Sequence, residues 1–321
     1  MAELLSLDAV CDRILAAERP LILSHTRPDG DTVGSAAALS HLFAALGKRA
    51  AWDCADPCPR RLAFLFDGCP LASREENAGG TVIAVDVASP TQLGGLAERY
   101  AACVAFSIDH HGTGTPFAPT YLSATAAAAG ELLYEIGARL VARGAIPALP
   151  VAFASAVYAA ISSDTGCFRY ANVTPHTHEV AAALLAAGAD ADRINHLLFE
   201  CRTESELRAG AIAAENLSLH AGGRIGVVSL SLRAREGLSD EDFETAVDTA
   251  RSVAGVEIAV AIREMKGGVC RVSLRSTGAD VASVAASFGG GGHLRAAGCT
   301  IAGNPGEALK SLLPRLSDAL R

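Results

Sequence analysis

Short, continuously apolar runs alternate with longer Ala- and Leu-rich segments through the first part of the chain. Several of the short runs end on an acid or a histidine. Leu21-Ile22-Leu23-Ser24 leads into His25, Thr81 to Val85 into Asp86, and Cys103 to Ile108 into Asp109. Ala50-Ala51-Trp52 is a weaker run of the same kind. Runs this short predict buried strands. Thr32 to Leu46 keeps its apolar character for too long to be a strand and stops at Gly47, which predicts a helix with a glycine just past its end. Alternating strand and helix predict a mainly parallel sheet with helices on both faces. Ligands of such sheets gather at the carboxyl ends of the strands. His25, Asp86 and Asp109 fall at three of those ends.

From Ser123 to Leu198 the pattern is mostly helical, with Ala124–Val141 and Val151–Ser162 apolar enough to be core helices. Phe168-Arg169-Tyr170 reads as an ordinary strand packed on the core, although its rings could also stack on a base. Thr203 to Asn216 is charged and helical and reads as a connection. Arg224 to Leu232 alternates as a strand. Ser239-Asp240-Glu241-Asp242 opens a helix with a capping residue and early acids. Val256–Met265 and Val269–Ser276 form a predicted hairpin around Lys266-Gly267-Gly268. A short helix near Asp280 to Phe288 runs into Gly289-Gly290-Gly291-Gly292-His293. The expected fold class is α/β with two domains. Residues 1–200 carry the parallel sheet flanked by helices, 201–222 connect, and 223–321 form a smaller mixed α/β domain.

Composition narrows the functional classes. The 321 residues are 50% apolar, enough for two cores. The formal net charge of −8 argues against a long nucleic-acid track, which needs a broad basic surface. Nine scattered cysteines without a C-x-x-C pair read as buried thiols in a reducing cytosol. No apolar run nears membrane-spanning length, and the N-terminus carries acids early instead of a signal segment. A soluble cytoplasmic protein is expected.

The candidate chemistry lies in four clusters: His25-Thr26-Arg27-Pro28-Asp29-Gly30-Asp31, Asp86, Asp109-His110-His111, and Ser162-Ser163-Asp164-Thr165. Carboxylate oxygens and imidazole nitrogens suit a divalent metal such as Mn²⁺. A shared carboxylate can bridge two ions, and paired ions activate water against phosphate esters. Each cluster alone has a plainer reading. Asp31 directly precedes a helical run and could be its cap, Asp86 could cap the next helix, and the triplet could be a solvated turn. Pro28 and Gly30 read as shaping the first loop. Asp164 closes an apolar helix, where a carboxylate opposes the dipole unless a cation or water offsets it. The four glycines let the backbone approach an anion closely, with His293 and Arg295 adding donors; a flexible surface loop is the alternative. Arg275 could be an exposed edge cation. His41, His176, His178, His196 and His220 lack a comparable setting.

Taken in order, these clusters, the Gly289–His293 loop and Ala296-Ala297-Gly298 resemble the DHH phosphoesterase family over nearly the whole chain. The length resembles the small nanoRNases that also act as phosphoadenosine phosphatases, not the larger RecJ exonucleases. The resemblance implies two divalent ions, Mn²⁺ first with Mg²⁺ or Co²⁺ as substitutes. His25, Asp29 and Asp86 would hold one; Asp31, Asp86, His110 and Asp164 the other. Asp109 would orient a histidine ring and His111 would face the reacting phosphate. Arg275, Gly290, Gly291, Gly292, His293 and Arg295 would bind substrate, in a cleft between the two domains. Short RNA oligonucleotides and 3′-phosphoadenosine 5′-phosphate are the implied substrates. Cyclic or linear dinucleotides, pyrophosphate or polyphosphate, and a non-catalytic nucleic-acid-binding role remain alternatives. No membrane partner is implied, and a homodimer stays open.

Overall fold

The computed structural model describes residues 2–320. Its elements begin with α1 (Leu7–Ala16), β1 (Leu21–Leu23), α2 (Gly30–Ala45), β2 (Ala51–Asp53), β3 (Val82–Val85), α3 (Ala97–Tyr100), β4 (Val104–Asp109) and β5 (Thr120–Leu122). Helices follow: α4 (Ala129–Ala142), α5 (Val151–Asp164), α6 (Pro175–Ala186), α7 (Ala191–Asn195) and α8 (Glu204–Glu215). The remainder is β6 (Leu217–His220), β7 (Ile225–Leu230), α9 (Ala246–Arg251), β8 (Ile258–Met265), β9 (Val269–Ser276), α10 (Val281–Ala286), β10 (Gly291–His293), β11 (Ala296–Ala302) and α11 (Pro305–Ala319). The chain divides into two compact units, one ending at Cys201 and the other starting at Arg202.

The first unit is built on a five-stranded sheet, order β2-β1-β3-β4-β5, with every pairing parallel. Its central strand β3 is buried at all four residues, as a strand covered on both faces must be. The cover is uneven. Ile22, Ile83, Val85, Phe106 and Ile108 point into one large core with the helices. Leu21, Leu23, Val82, Ala84 and Val104 point the other way, against Leu93, Leu96 and Tyr100 from 3₁₀ turns and the one-turn α3. Helix α2 is buried almost all round, which accounts for the lack of a polar face in its sequence.

The second unit is a six-stranded sheet, order β10-β11-β9-β8-β7-β6. It is antiparallel except where β7 pairs with β8. Alternate residues of β8 and β9 (Ile258, Val260, Ile262, Cys270, Val272, Leu274) pack on α10 and α11. On the opposite face, Val228, Leu230, Ala259 and Ala261 pack against residues of α8 and α9.

Three sequence expectations change. Phe168-Arg169-Tyr170 is not a strand but part of a tight turn after α5, with Gly166, Cys167 and Phe168 all at positive φ. Phe168 stacks on His178, with ring centroids 5.5 Å apart. Helix α4 starts at Ala129, not Ala124, because a distant carboxylate takes its first amides (below). The segment opening at Ser239 forms only a 3₁₀ turn, Glu241–Phe243, before α9 begins. Among the described residues, no helix is long and apolar enough to cross a membrane.

Candidate metal centre

Strand β1 ends at Leu23 and the chain turns through His25. His25 Nδ1 donates to the Thr26 carbonyl oxygen at 2.8 Å. A carbonyl can only accept, so Nδ1 carries the proton and Nε2 keeps its lone pair in the neutral ring. That Nε2 faces Asp86 Oδ2 at 3.4 Å and Asp29 Oδ1 at 3.7 Å. Asp29 is the residue that caps α2: its Oδ1 accepts from Asp31 N and Thr32 N, both at 3.1 Å. The capping role read for Asp31 therefore belongs two residues earlier.

Asp31 lies inside the first turn of α2, only 1% exposed. Its carboxylate accepts from Ala129 N at 2.7 Å, Gly130 N at 3.1 Å and Ser35 Oγ at 3.2 Å. It occupies the amide end of α4, where the helix dipole favours an anion. The Ala128 side chain supplies no cap there, so Asp31 does it from another element.

Gly30 serves packing more than turning. A Cβ on it would sit 2.1 Å from Ser163 Oγ, and one on Gly34 would sit 2.9 Å from the Ala156 carbonyl oxygen. These two glycines, one helical turn apart, let α2 lie close against α5. That approach brings Asp164, the last residue of α5, to the other acids.

Asp86 follows β3 with φ 58°, a left-handed conformation that aspartate tolerates better than most residues. Its backbone N–H donates to the Ile108 carbonyl at 2.9 Å, tying it to β4. The side chain is buried, and Oδ1 has no hydrogen-bond partner among the described residues. Around it stand His110 Nε2 at 3.6 Å and His111 Nδ1 at 3.5 Å from that oxygen, with His25 at the other. His110 repeats the pattern of His25. Its Nδ1 donates to the Ala126 carbonyl at 3.2 Å, leaving Nε2 facing Asp31 at 3.5 Å and Asp164 at 3.8 Å. Asp109 instead holds His111, through its ring Nδ1 at 2.7 Å and its backbone N–H at 3.3 Å.

The electrostatics show strain that protons alone relieve poorly. Burial would pull the His25 imidazole down, but Asp29 and Asp86 overcome it and push it up to about 12. His110 rises to about 9 against burial, under Asp31, Asp86 and Asp164. Burial drives Asp31 well above the carboxylate range, reinforced by Asp86. Asp164 is raised to about 7 by burial and the charges of Asp29 and Asp86, opposed by His110. Asp86 is held low against burial, chiefly by His25. Four aspartates thus crowd a volume in which they cannot all ionise comfortably.

Divalent cations fit this arrangement. The N···O separations of 3.4 to 3.8 Å around Asp86, Asp31 and Asp164 exceed an ordinary N–H···O hydrogen bond. The Nε2 atoms of His25 and His110 and an unpartnered buried carboxylate oxygen, Asp86 Oδ1, thus converge on a shared space. Three groups each bring ligand atoms within 4.8 Å of one another: His25/Asp29/Asp86, Asp31/His110/Asp164 and Asp86/His110/His111. The donors are all oxygen and nitrogen, which suits Mn²⁺, Mg²⁺ or Co²⁺ better than a thiophilic ion.

The remaining candidate residues lie in the second unit. Gly290 admits no side chain, since a Cβ would come within 2.2 Å of the Gly298 carbonyl oxygen. Gly292, at φ 143°, would meet the Ala296 carbonyl oxygen at 2.5 Å. The glycine run is therefore a strand of a tight hairpin, β10–β11, with Leu294 and Arg295 exposed at its turn. Arg275 lies on β9 directly opposite Ala296, its Nη1 donating to the Leu274 carbonyl at 2.9 Å. The side chain of His293 lies outside the described residues. Sequence reasoning missed the Ala126 carbonyl, the Ala129 and Gly130 amides and the Gly30–α5 packing. All are backbone features, without a side-chain signature.

Comparison with known proteins adds two domain matches, the DHH family N-terminal domain over residues 19–161 and the DHHA1 domain over residues 222–321. A Thermus thermophilus protein named bifunctional oligoribonuclease and PAP phosphatase NrnA is 34% identical, covering 92% of this chain and 88% of its own length. A Bacillus subtilis protein of the same name is 25% identical over 86% of this chain and 87% of its own. An exopolyphosphatase-related protein from Bacteroides fragilis shares the fold with a TM-score of 0.88 at 23% identity, over 97% of this chain and 95% of that one.

Proposed function

This chain belongs to the DHH family, and we propose that it is a phosphoester hydrolase acting on short oligoribonucleotides and 3′-phosphoadenosine 5′-phosphate with two divalent cations, Mn²⁺ by preference. The observation that carries the two-cation reading is the buried, unpartnered Oδ1 of Asp86 between His110 and His111, with His25 at the other oxygen of the same carboxylate. The substrate reading is supported by the names of the Thermus and Bacillus relatives.

In this reading His25, Asp29 and Asp86 hold one ion, and Asp31, Asp86, His110 and Asp164 the other. Bound there, the pair would supply Lewis-acid stabilisation of phosphoryl charge and lower the pKa of water. The chain's own groups do the rest. The Thr26 and Ala126 carbonyls fix the His25 and His110 rings so that Nε2 points inward. Asp109 locks His111, whose pKa it raises against burial, so that the ring can hold a proton toward the reacting phosphate. Arg275 grips a non-reacting phosphate through its guanidinium fork. The Gly290 amide is committed to the Ala285 carbonyl at 2.9 Å and Gly291–His293 pair with β11, so the glycines contribute close backbone approach and not a cradle of three free amides.

The test is product analysis by mass spectrometry. A 5′-phosphorylated dinucleotide, 3′-phosphoadenosine 5′-phosphate, a cyclic dinucleotide and pyrophosphate are offered in parallel with Mn²⁺. Mononucleotide and AMP should be the main products of the first two. Turnover confined to the cyclic dinucleotide or to pyrophosphate would overturn the substrate reading. Full turnover after thorough chelation would overturn the metal reading.

A further inference from the structure

The face of β9 turned away from the α10–α11 core carries more than Arg275. Strand alternation sends Cys270, Val272 and Leu274 into that core and leaves Arg271, Ser273 and Arg275 on the other side, each half-buried. On the neighbouring β11, the residues paired with them are Thr300, Gly298 and Ala296. The hydrophobic cluster on this side of the sheet takes Ala259 and Ala261 from β8 but no residue of β9 or β11. No acid stands among these six positions.

Arg271 is unusual on this surface. Its cross-strand partner on β8 is another arginine, Arg263, and like charges directly opposite are destabilising. Arg263 is 7% exposed and donates to the Asp240 carbonyl at 3.1 Å. Burial lowers its pKa first and Arg271 next, with Asp240 and Glu244 opposing. The Asp240 carboxylate is itself paired with Arg235. The guanidinium of Arg271 makes no hydrogen bond or ion pair among the described residues. The hydroxyl of Ser273, midway to Arg275, makes no hydrogen bond there either.

We propose that Arg271, Ser273 and Arg275 form a phosphate track along the outward face of β9, with Arg271 as a second phosphate subsite that only substrates longer than a dinucleotide reach. The proposal rests on the reading of Arg275 as a phosphate grip. At about 3.4 Å per residue, the Arg271 and Arg275 positions lie about 14 Å apart along the strand, with Ser273 halfway. A chain anchored by one phosphate at Arg275 therefore presents later phosphates to Ser273 and Arg271. A mononucleotide or dinucleotide ends before Arg271. Arginine supplies the charge-assisted contact, and the small residues opposite Ser273 and Arg275, Gly298 and Ala296, leave room for sugar and base.

The experiment measures kcat/KM of the metal-loaded protein on 5′-phosphorylated RNAs of two and five nucleotides, for the parent, Arg271→Ala and Arg271→Lys. The ratio of five-mer to dinucleotide efficiency should fall about tenfold in Arg271→Ala and recover in part in Arg271→Lys. The log–log salt dependence for the five-mer should lose a slope of about one. Thermal midpoint and metal content are recorded for each variant to confirm folding. An unchanged length ratio in Arg271→Ala overturns the subsite, as does a salt slope equal to the parent's. A parent that cleaves neither RNA overturns the functional reading itself, a result distinct from the first because it appears before any substitution is made.

Discussion

The first unit crowds four aspartates around two inward-facing imidazole nitrogens, while the outward face of β9 in the second unit lines up two arginines and a serine without an acid. Both arrangements are costly in isolation, for opposite reasons. In the first, burial raises Asp31 and Asp164 while Asp86 must stay ionised against its burial. In the second, Arg271 faces Arg263 across the strand pair. Unpaired charge of one sign is expensive to hold, so each surface is complementary to what it lacks. In the proposed reading the first takes cations and the second takes phosphate. A metal-dependent phosphoesterase needs both.

Asp86→Asn presses hardest on this contrast. The change removes the charge shared by all three histidine contacts while keeping nearly the same shape. We expect kcat to fall by at least about 10³, since metal catalysis supplies several kcal/mol. Bound metal measured by emission spectroscopy should fall with it, while the circular dichroism spectrum stays as in the parent. A folded variant with most of its activity would reduce Asp86 to a structural residue.

Arg275→Ala should separate the two surfaces. Losing one charge-assisted phosphate contact costs roughly 1.5–3 kcal/mol, which is on the order of ten- to a hundredfold in kcat/KM. Metal content should not change. Loss of metal in this variant would show that the two surfaces are not separable.

The gentlest probe is pH. Asp164 at about 7 and His110 at about 9 must both shed protons before they can hold a cation. Both pKa values are raised above their unfolded values, so the metal-free protein favours the protonated groups and loses their contribution as pH climbs through 7 to 9. Metal affinity rises over the same window. The gain in thermal midpoint on adding Mn²⁺ should therefore be larger at pH 8 than at pH 6, by a few degrees for each kcal/mol of added binding. An equal or smaller gain at pH 8 would count against these groups as ligands.

Strands β1, β3 and β4 were legible because each is a dense apolar run, and the polar residue after each run marks the strand end where ligands collect. The hairpin β8–β9 was legible from its turn residues. What escaped was decided by tertiary contact. The start of α4 depends on Asp31, almost a hundred residues away. Asp29 and not Asp31 caps α2, because the Asp31 carboxylate is taken by the distant α4 amides, and the close approach of α2 to α5 depends on the missing side chain of Gly30. The Phe168 turn defeats pattern reading because three successive positive φ angles, two of them at non-glycine residues, are held by hydrogen bonds back to Ser162 and Thr165 at the end of α5, which the residue pattern does not announce. The sequence reads the glycine run as an anion cradle, with a flexible loop as the alternative; in the fold Gly290 and Gly292 are pressed against the neighbouring strand.

The left-handed backbone of Asp86 sets a limit on how this site can drift over generations. At φ 58° the comfortable residues are glycine, asparagine and aspartate. Glycine and asparagine keep the backbone and lose the anion. Glutamate keeps the anion, adds a methylene in a buried space and meets a backbone it adopts reluctantly. Few single substitutions at this position can satisfy the chain and the site together. A lineage that loses aspartate here should sooner become an inactive binder than a slower enzyme. Under the proposed two-cation reading, position 86 is therefore a sharper marker of retained activity in related sequences than either of its neighbouring histidines.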